Sequence, residues 1–214
     1  MNARIVILTK EPTPGSVKTR LIPAIGPEAA TRLHTAMVWE TIERAQSTGL
    51  PVHVALAGDM SSSFADALRH KVTAVEPQVH GDLGQRMAHA LKGPGRAIAL
   101  GTDCVLFEPT WLIEAAQATA PVVIGPAEDG GYWLIAACGD NPTIFPALFN
   151  NMAWSTDSVC KDTADRLQEI DQTIHWLPSS YDIDTVEDLE RLRFEPHCPS
   201  EIRDLLKVIS PTEH

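Results

Sequence analysis

Several absences narrow the field before any motif is considered. The four cysteines, Cys104, Cys138, Cys160 and Cys198, form no C-x-x-C pair, so neither a zinc site nor a disulfide framework is indicated, and reduced cytoplasmic thiols fit this usage. No apolar stretch approaches membrane-spanning length, and the N-terminal apolar run is too short for a signal peptide. A cytoplasmic location without a membrane partner is therefore expected. Positive charge is also scarce: 17 Lys and Arg stand against 28 Asp and Glu, a net charge of −11, so nucleic acid and anionic membranes are repelled by the protein as a whole. His34, His53, His70, His80, His89, His175, His197 and His214 show no metal-ligand spacing. There is no internal repeat, no low-complexity linker, no G-x-x-x-x-G-K-[ST] and no G-x-G-x-x-G, which excludes a Walker loop and a dinucleotide fingerprint.

What is present points to one substantial domain over 1–214, since 214 residues that are 44% hydrophobic can bury a packed core. Apolar runs predict strands at 4–9, 52–57, 71–75, 96–101, 121–126 and 131–137. Helical patterns separate them at 27–48, 61–70, 83–92, 109–118 and 157–170, with a short closing helix at 199–208. Alternation of this kind predicts an α/β fold with a mostly parallel central sheet, helices on both faces, and a ligand crevice at the carboxyl ends of the strands. In the first long helix Leu33, Met37 and Ile42 share an apolar face, and Trp39 belongs with the core.

Against the acidic background one loop stands out. The run Ile5 to Thr9 empties into a segment carrying Lys10, Lys18 and Arg20 around Pro12, Pro14 and Gly15. Cations crowded on a short loop repel one another, and an anion that bridges them lowers the energy of the ordered loop, so this segment reads as a phosphate cradle; a solvated turn with surface lysines is the plainer alternative. A second site is R-A-I-A-L-G-T-D-C, 96–104, where a strand delivers Asp103 just past Gly101 and Thr102. A carboxylate there suits magnesium, which is commonly held by one or two carboxylates plus substrate phosphates; capping of the following helix is the competing role. Cys104 reads as a packed thiol, because no histidine lies nearby in sequence to activate it.

Two further segments complete the set. In P-A-E-D-G-G-Y-W-L-I-A, 126–136, Asp129 precedes paired glycines that permit a hairpin turn or close ligand approach, and Tyr132 and Trp133 then point to opposite faces. In D-I-D-T-V-E-D-L-E-R-L, 182–192, Asp182 and Asp184 alternate about Ile183, while Thr185 and Asp188 have capping spacing. Asp184 is a candidate second metal carboxylate. Asp82 and Gln85 also fit an N-cap, with Arg86 placed to reach a phosphate or a base edge. Ser155 and Thr156 are either helix caps or substrate-facing groups, and Asp157 carries the same ambiguity.

In combination, K-E-P-T-P-G-S-V-K-T-R-L, G-D-L-G-Q-R-M at 81–87, G-T-D-C, P-A-E-D-G-G-Y-W-L-I, W-S-T-D at 154–157 and D-I-D-T-V-E-D-L carry a family resemblance. The chain is similar to the DUF2064 group of nucleotide-diphospho-sugar-transferase-like proteins, a glycosyltransferase-like group that resembles 2-phospho-lactate guanylyltransferases and molybdenum-cofactor nucleotidyltransferases. The resemblance spans Lys10 to Leu189 and departs at Val105, where the family pattern commonly has proline. It implies a single-domain GT-A fold and a magnesium or manganese cofactor. It also implies that the first loop meets the nucleotide phosphates and that Asp103 holds the metal with Asp184 as second carboxylate.

Three functional readings follow. In nucleotidyl transfer a small phosphorylated acceptor attacks a nucleoside triphosphate, Lys10, Lys18 and Arg20 neutralise the phosphates, and Asp103 and Asp184 position magnesium. In glycosyl transfer a nucleotide sugar is the donor and an acceptor hydroxyl near Asp129 needs a base. The third reading is a nucleotide-binding module without turnover. Cation density on the first loop favours nucleotidyl transfer, because a triphosphate has more charge to balance. The expected site thus comprises Lys18, Arg20, Asp103 and Asp129 for catalysis, Lys10, Gly15, Lys18, Arg20 and Arg86 for the nucleotide, and Asp103 and Asp184 for the metal.

Overall fold

The computed structural model describes residues 2–139 and 141–209; His214 and the ends of the expected 1–214 span lie outside them. Among the described residues the chain forms one seven-stranded sheet with helices on both faces. The strands are β1 (Ala3–Lys10), β2 (Val52–Ala57), β3 (Ala74–Pro77), β4 (Arg96–Leu100), β5 (Val122–Pro126), β6 (Tyr132–Cys138) and β7 (Ile174–Trp176). Their order is β3-β2-β1-β4-β6-β5-β7. Only β6 runs against its neighbours, so the sheet is mostly parallel, as the alternating sequence pattern predicts.

The two-residue period of the strands sorts their side chains into two cores. Ile5, Ile7, Ile98 and Leu100 face α2 (Pro27–Ser47), α3 (Ser63–Arg69) and α5 (Pro109–Gln117). Val6, Ala97, Ala99 and Ile135 face α4 (Leu83–Leu91), α6 (Ile144–Phe149) and α7 (Val159–Glu169). A third cluster joins Leu33 and Met37 of α2 to α8 (Val186–Arg193) and α9 (Ser200–Val208). The long α2 thus packs on the sheet through Val38 and Ile42 and carries the C-terminal helices on the same element. Trp39 is partly buried against the first core.

The sequence-based boundaries shift where side-chain pattern is a weak guide. β3 begins at Ala74 rather than 71 because Lys71 and Val72 complete the turn after α3, donating to the Leu68 carbonyl at 2.9 and 3.0 Å. α7 starts at Val159, two residues later than the pattern suggests. Three elements were not anticipated: the one-turn α1 (Ile22–Ile25), α6 with its internal Pro146, and the three-residue edge strand β7. Each is too short to show a period. The Gly101–Thr102–Asp103 segment does not cap α5, which starts at Pro109 after Glu108.

Two tertiary contacts fix the walls of the crevice above the strand ends. The β5–β6 hairpin turns at Ala127–Gly131, and Gly130, at φ 89°, lies so close to the Asp157 backbone that a Cβ would overlap its carbonyl. The amide of Cys160 donates to the Gly130 carbonyl at 2.8 Å, stitching this turn to the start of α7. The paired glycines therefore serve a hairpin and a backbone contact. From the same 154–157 segment, the Trp154 indole covers Gly84 in the first turn of α4 and would collide with any Cβ there.

The floor is fixed by His34 of α2. Its Nε2 lies 3.0 Å from the Lys10 carbonyl, holding the end of β1 against the helix, and burial keeps the imidazole below its ordinary pKa.

Gly130→Ala is expected to cost about 2–4 kcal/mol, from strain plus a backbone clash, and to lower the melting temperature by roughly 5–15 °C. Gly15→Ala serves as the control: its φ is also left-handed, at 84°, but nothing lies within 4 Å of the added Cβ. It should cost only about 1–2 kcal/mol. Equal losses in the two variants would eliminate the contact with Asp157 as the cause. His34 sets a pH dependence. An unfolded histidine titrates near about 6.5, and a lower folded value means that stability held above that pH is lost as the pH falls through it. Asp182, pushed up to about 7 by burial and then by Asp103, acts in the opposite sense. The readout is therefore a difference: between about pH 7 and about pH 5.5, His34→Gln should lose less melting temperature than the parent, and identical losses would rule the histidine out.

Candidate active site

The carboxyl ends of β1 and β4 and the amino end of the antiparallel β6 open into a crevice of about 780 Å³. Lys10, Lys18, Arg20, Arg86, Asp103, Asp129 and Asp184 all line it. The fold thus gathers residues from five separate segments of the chain. Gly15 is the exception among the expected site residues; it occupies an exposed turn, and its neighbour Ser16 reaches the lining instead.

At the centre of the crevice floor is an ion-pair cluster. Lys18 leaves the first loop with φ 47°, a left-handed conformation uncommon for a residue with a Cβ, and its side chain is only 2% exposed. The ammonium donates to Asp103 Oδ1, to the Ile183 carbonyl at 2.7 Å and to Asp184 Oδ1 at 3.1 Å. Three protons meet three acceptors. The lysine expected to lie open to phosphate is instead saturated by the protein. Burial opposes its charge, but Asp103 and Asp184 outweigh that and hold its pKa above the ordinary lysine value.

Asp103 and Asp184 remain 48% and 40% exposed, so each presents an edge to the crevice. Crowding by surrounding protein would raise the Asp103 pKa, yet the Lys18 charge and hydrogen bond carry it below the usual carboxylate value. Asp184 is set by a capping box: Asp188 Oδ2 accepts from the amides of Asp184 and Thr185 at 3.0 and 2.7 Å, while Thr185 Oγ1 accepts from the Asp188 amide at 3.3 Å. Capping therefore falls to Thr185 and Asp188 and leaves the Asp184 carboxylate for Lys18. The Asp103 carbonyl accepts from the Ile183 amide at 2.9 Å, which ties the two acidic segments together through the backbone.

The remaining cations are more open. Arg20 is 74% exposed and reaches Asp184 Oδ2 at 3.5 Å. Lys10 ends β1 at the surface. Arg86 anchors its Nε to the Gly81 carbonyl at 3.1 Å, on a helix whose Asp82–Gln85 capping box is formed. Asp129 turns one carboxylate oxygen back to the Gly131 amide at 2.9 Å. Its loop is anchored by the Glu128–Arg191 pair, at 2.6 and 2.9 Å. Trp133 joins the core, stacked on Phe107 at 5.6 Å, whereas Tyr132 lies partly buried at the crevice wall. The Cys104 thiol donates to Ser180 Oγ at 3.0 Å, and burial pushes it up to about 11, which fits a packed thiol. Thr156 bonds to the Ala153 carbonyl at 2.9 Å, and α7 has no side-chain cap, so the expected capping role of Ser155 or Thr156 is not realised.

Sequence reasoning missed His34 and Gln78. Gln78 Nε2 donates to the carbonyls of Thr9 and Ala55, both at 2.9 Å, and so clamps the ends of β1 and β2 beside the crevice. Neither belongs to a motif with chemical spacing. Asp182 was visible as the partner of Asp184 in D-I-D, and it too lines the crevice.

Whether this site fits a divalent cation is decided by its donors. Asp103 and Asp184 converge on one ammonium from segments far apart in sequence, and each keeps carboxylate surface open to the crevice. Among the described residues no group of three or more His, Cys, Asp or Glu forms a complete cage. Two carboxylates and an open side fit magnesium, which takes its other ligands from phosphates and water.

Comparison with known proteins is consistent with this architecture. A structure from Desulfovibrio desulfuricans G20, described as a candidate nucleotide-diphospho-sugar transferase, superposes with a TM-score of 0.86 at 25% identity, over 96% of this chain and 94% of that one. The inositol-1-phosphate CTP transferase of T. maritima gives a TM-score of 0.59 at 11% identity, over 98% and 96%. A candidate glucose-1-phosphate thymidylyltransferase from Bacillus anthracis gives 0.56 at 10% identity, over 97% and 96%. These last two share the fold alone. No curated protein matches the chain. Residues 41–156, more than half of the sequence, match the family described as uncharacterized proteins conserved in bacteria. The chain therefore belongs to the DUF2064 family and has a nucleotide-diphospho-sugar-transferase-like fold.

Proposed function

We propose that this chain is a transferase acting on a nucleotide-activated substrate, and that it catalyses nucleotidyl transfer from a nucleoside triphosphate to a small phosphorylated acceptor. The observation that carries the proposal is the convergence of Lys10, Arg20 and Arg86 around the Asp103–Asp184 pair in one crevice at the strand ends. Such an arrangement serves phosphoryl chemistry by orientation and charge compensation. Lys10 and Arg20 would bind the triphosphate and the departing pyrophosphate, and Arg86 would reach a phosphate or the base edge of the nucleotide. Asp103 and Asp184 would hold magnesium or manganese, which when bound neutralises phosphate charge.

A glycosyl-transfer reading draws on two observations. Lys18 is committed to the two carboxylates, which leaves fewer free cations for a triphosphate, and Asp129 sits on the crevice wall with one oxygen uncommitted to the Gly131 amide. In that reading Asp129 accepts the proton of an acceptor hydroxyl.

The products discriminate. Nucleotidyl transfer releases pyrophosphate from a nucleoside triphosphate; glycosyl transfer releases a nucleoside diphosphate from a nucleotide sugar. With triphosphates, pooled sugar and polyol phosphates and magnesium, pyrophosphate is expected, and Asp103→Asn should slow its release by about 100-fold or more. Nucleoside diphosphate formed from a nucleotide sugar would transfer the assignment to glycosyl transfer, and tight nucleotide binding without either product would leave a non-catalytic module. Arg20→Ala and Lys10→Ala should each weaken triphosphate binding by about tenfold and flatten its salt dependence, with nucleoside binding unchanged. Equal weakening of nucleoside and triphosphate would reassign these side chains to a structural role.

A further inference from the structure

The saturated environment of Lys18 gives this residue a different task from the other cations of the loop. Its ammonium is the common partner of Asp103 and Asp184, the two carboxylates assigned above to the metal. Its third proton goes to the Ile183 carbonyl at 2.7 Å, so no donor remains for a phosphate oxygen. The side chain reaches this position from a left-handed backbone, and solvent touches 2% of it, whereas Arg20, two residues on, is 74% exposed. A residue meant to greet an entering anion has no need of such confinement.

We propose that Lys18 is a built-in cation: a positioning residue that occupies the place between Asp103 and Asp184 in the ligand-free protein, holds both carboxylates in register, and yields part of that place when a divalent ion enters. The inference rests on the assignment of those two aspartates to the metal. Its physical basis is competition. One ammonium and one divalent ion would share the same two carboxylates, and like charges at such short separation repel. A free divalent ion therefore enters the ligand-free site against the Lys18 charge. An ion accompanied by phosphates meets less resistance, because the ammonium that is pushed aside finds phosphate oxygens to receive it. Metal and phosphate are thereby bound together, and the bare ion weakly.

Lys18→Gln tests the idea, since the amide keeps hydrogen-bond donors but removes the charge. Mn2+ binding to the nucleotide-free protein is followed by electron paramagnetic resonance, with the melting temperature measured alongside. The parent is expected to bind Mn2+ weakly and to show almost no thermal shift. Lys18→Gln should melt lower than the parent without metal, bind Mn2+ at least about tenfold more tightly because the repulsion is gone, and recover stability as Mn2+ is added. Adding Asp103→Asn to it should abolish the gain. If Lys18→Gln is too unstable to purify, refolding yield with and without Mn2+ supplies the same comparison. Mn2+ binding that is equal in parent and variant, or weaker in the variant, overturns the proposal, as does a refolding yield indifferent to Mn2+. Because no nucleotide or acceptor is present, this outcome is independent of the product assays: those can fail while Lys18 proves to be the competing cation, and the reverse.

Discussion

A single buried ammonium organises the functional end of this molecule. Lys18 lies 85 residues from Asp103 and 166 from Asp184, and its side chain joins the first loop, the end of β4 and the segment before α8. Burying a charge of this kind costs several kcal/mol, offset by the carboxylates only when their geometry is good. Both aspartates are partly solvated, so the pairing contributes little net stability, and its effect is positional. Two acidic groups that would otherwise repel are held side by side facing the crevice.

Everything around that bridge serves to keep its members still. His34 ties the end of β1 to α2, Gln78 ties it to β2, and the Thr185–Asp188 capping box fixes the segment that carries Asp184. The walls are held by close packing as well as by charge. Gly130 lets one loop touch the backbone of another, and Gly84 lets an indole lie flat on a helix. Glu128 and Arg191 reinforce the first wall, and the Arg191 guanidinium stacks 3.7 Å from the Tyr181 ring centre. The charged groups of the crevice are thus displayed on a packed frame, which reduces the ordering that ligand binding would require.

The crevice lining carries both signs of charge. Lys10, Arg20 and Arg86 supply open positive charge, while Asp103, Asp129, Asp182 and Asp184 supply negative charge close by. The upward shift of Asp182 to about 7 reports burial together with this crowding of carboxylates. Under the proposed function a polyanionic substrate alone would meet repulsion from these carboxylates, and a divalent cation held by them would make the crevice complementary to it. That balance is a reason for an acidic protein to carry so concentrated a basic loop.

The amino-acid sequence by itself determined the alternation of apolar strands and amphipathic helices, the placement of the basic loop, Asp103 and Asp184 at strand or helix ends, and the two capping boxes. These are local matters, set by side-chain period, backbone preference and hydrogen bonds over three or four residues. Elements too short for a period, such as β7 and α6, escaped it. Tertiary structure alone decided that Lys18 points inward to the carboxylates while Arg20 stays outside, since the loop sequence gives both the same charge and similar reach. It also decided that Gly130 answers to Asp157 and Gly84 to Trp154, and that His34 and Gln78 brace β1. Those outcomes depend on which strand ends the sheet order brings together, and no spacing along the chain encodes a contact made across 85 or 166 residues.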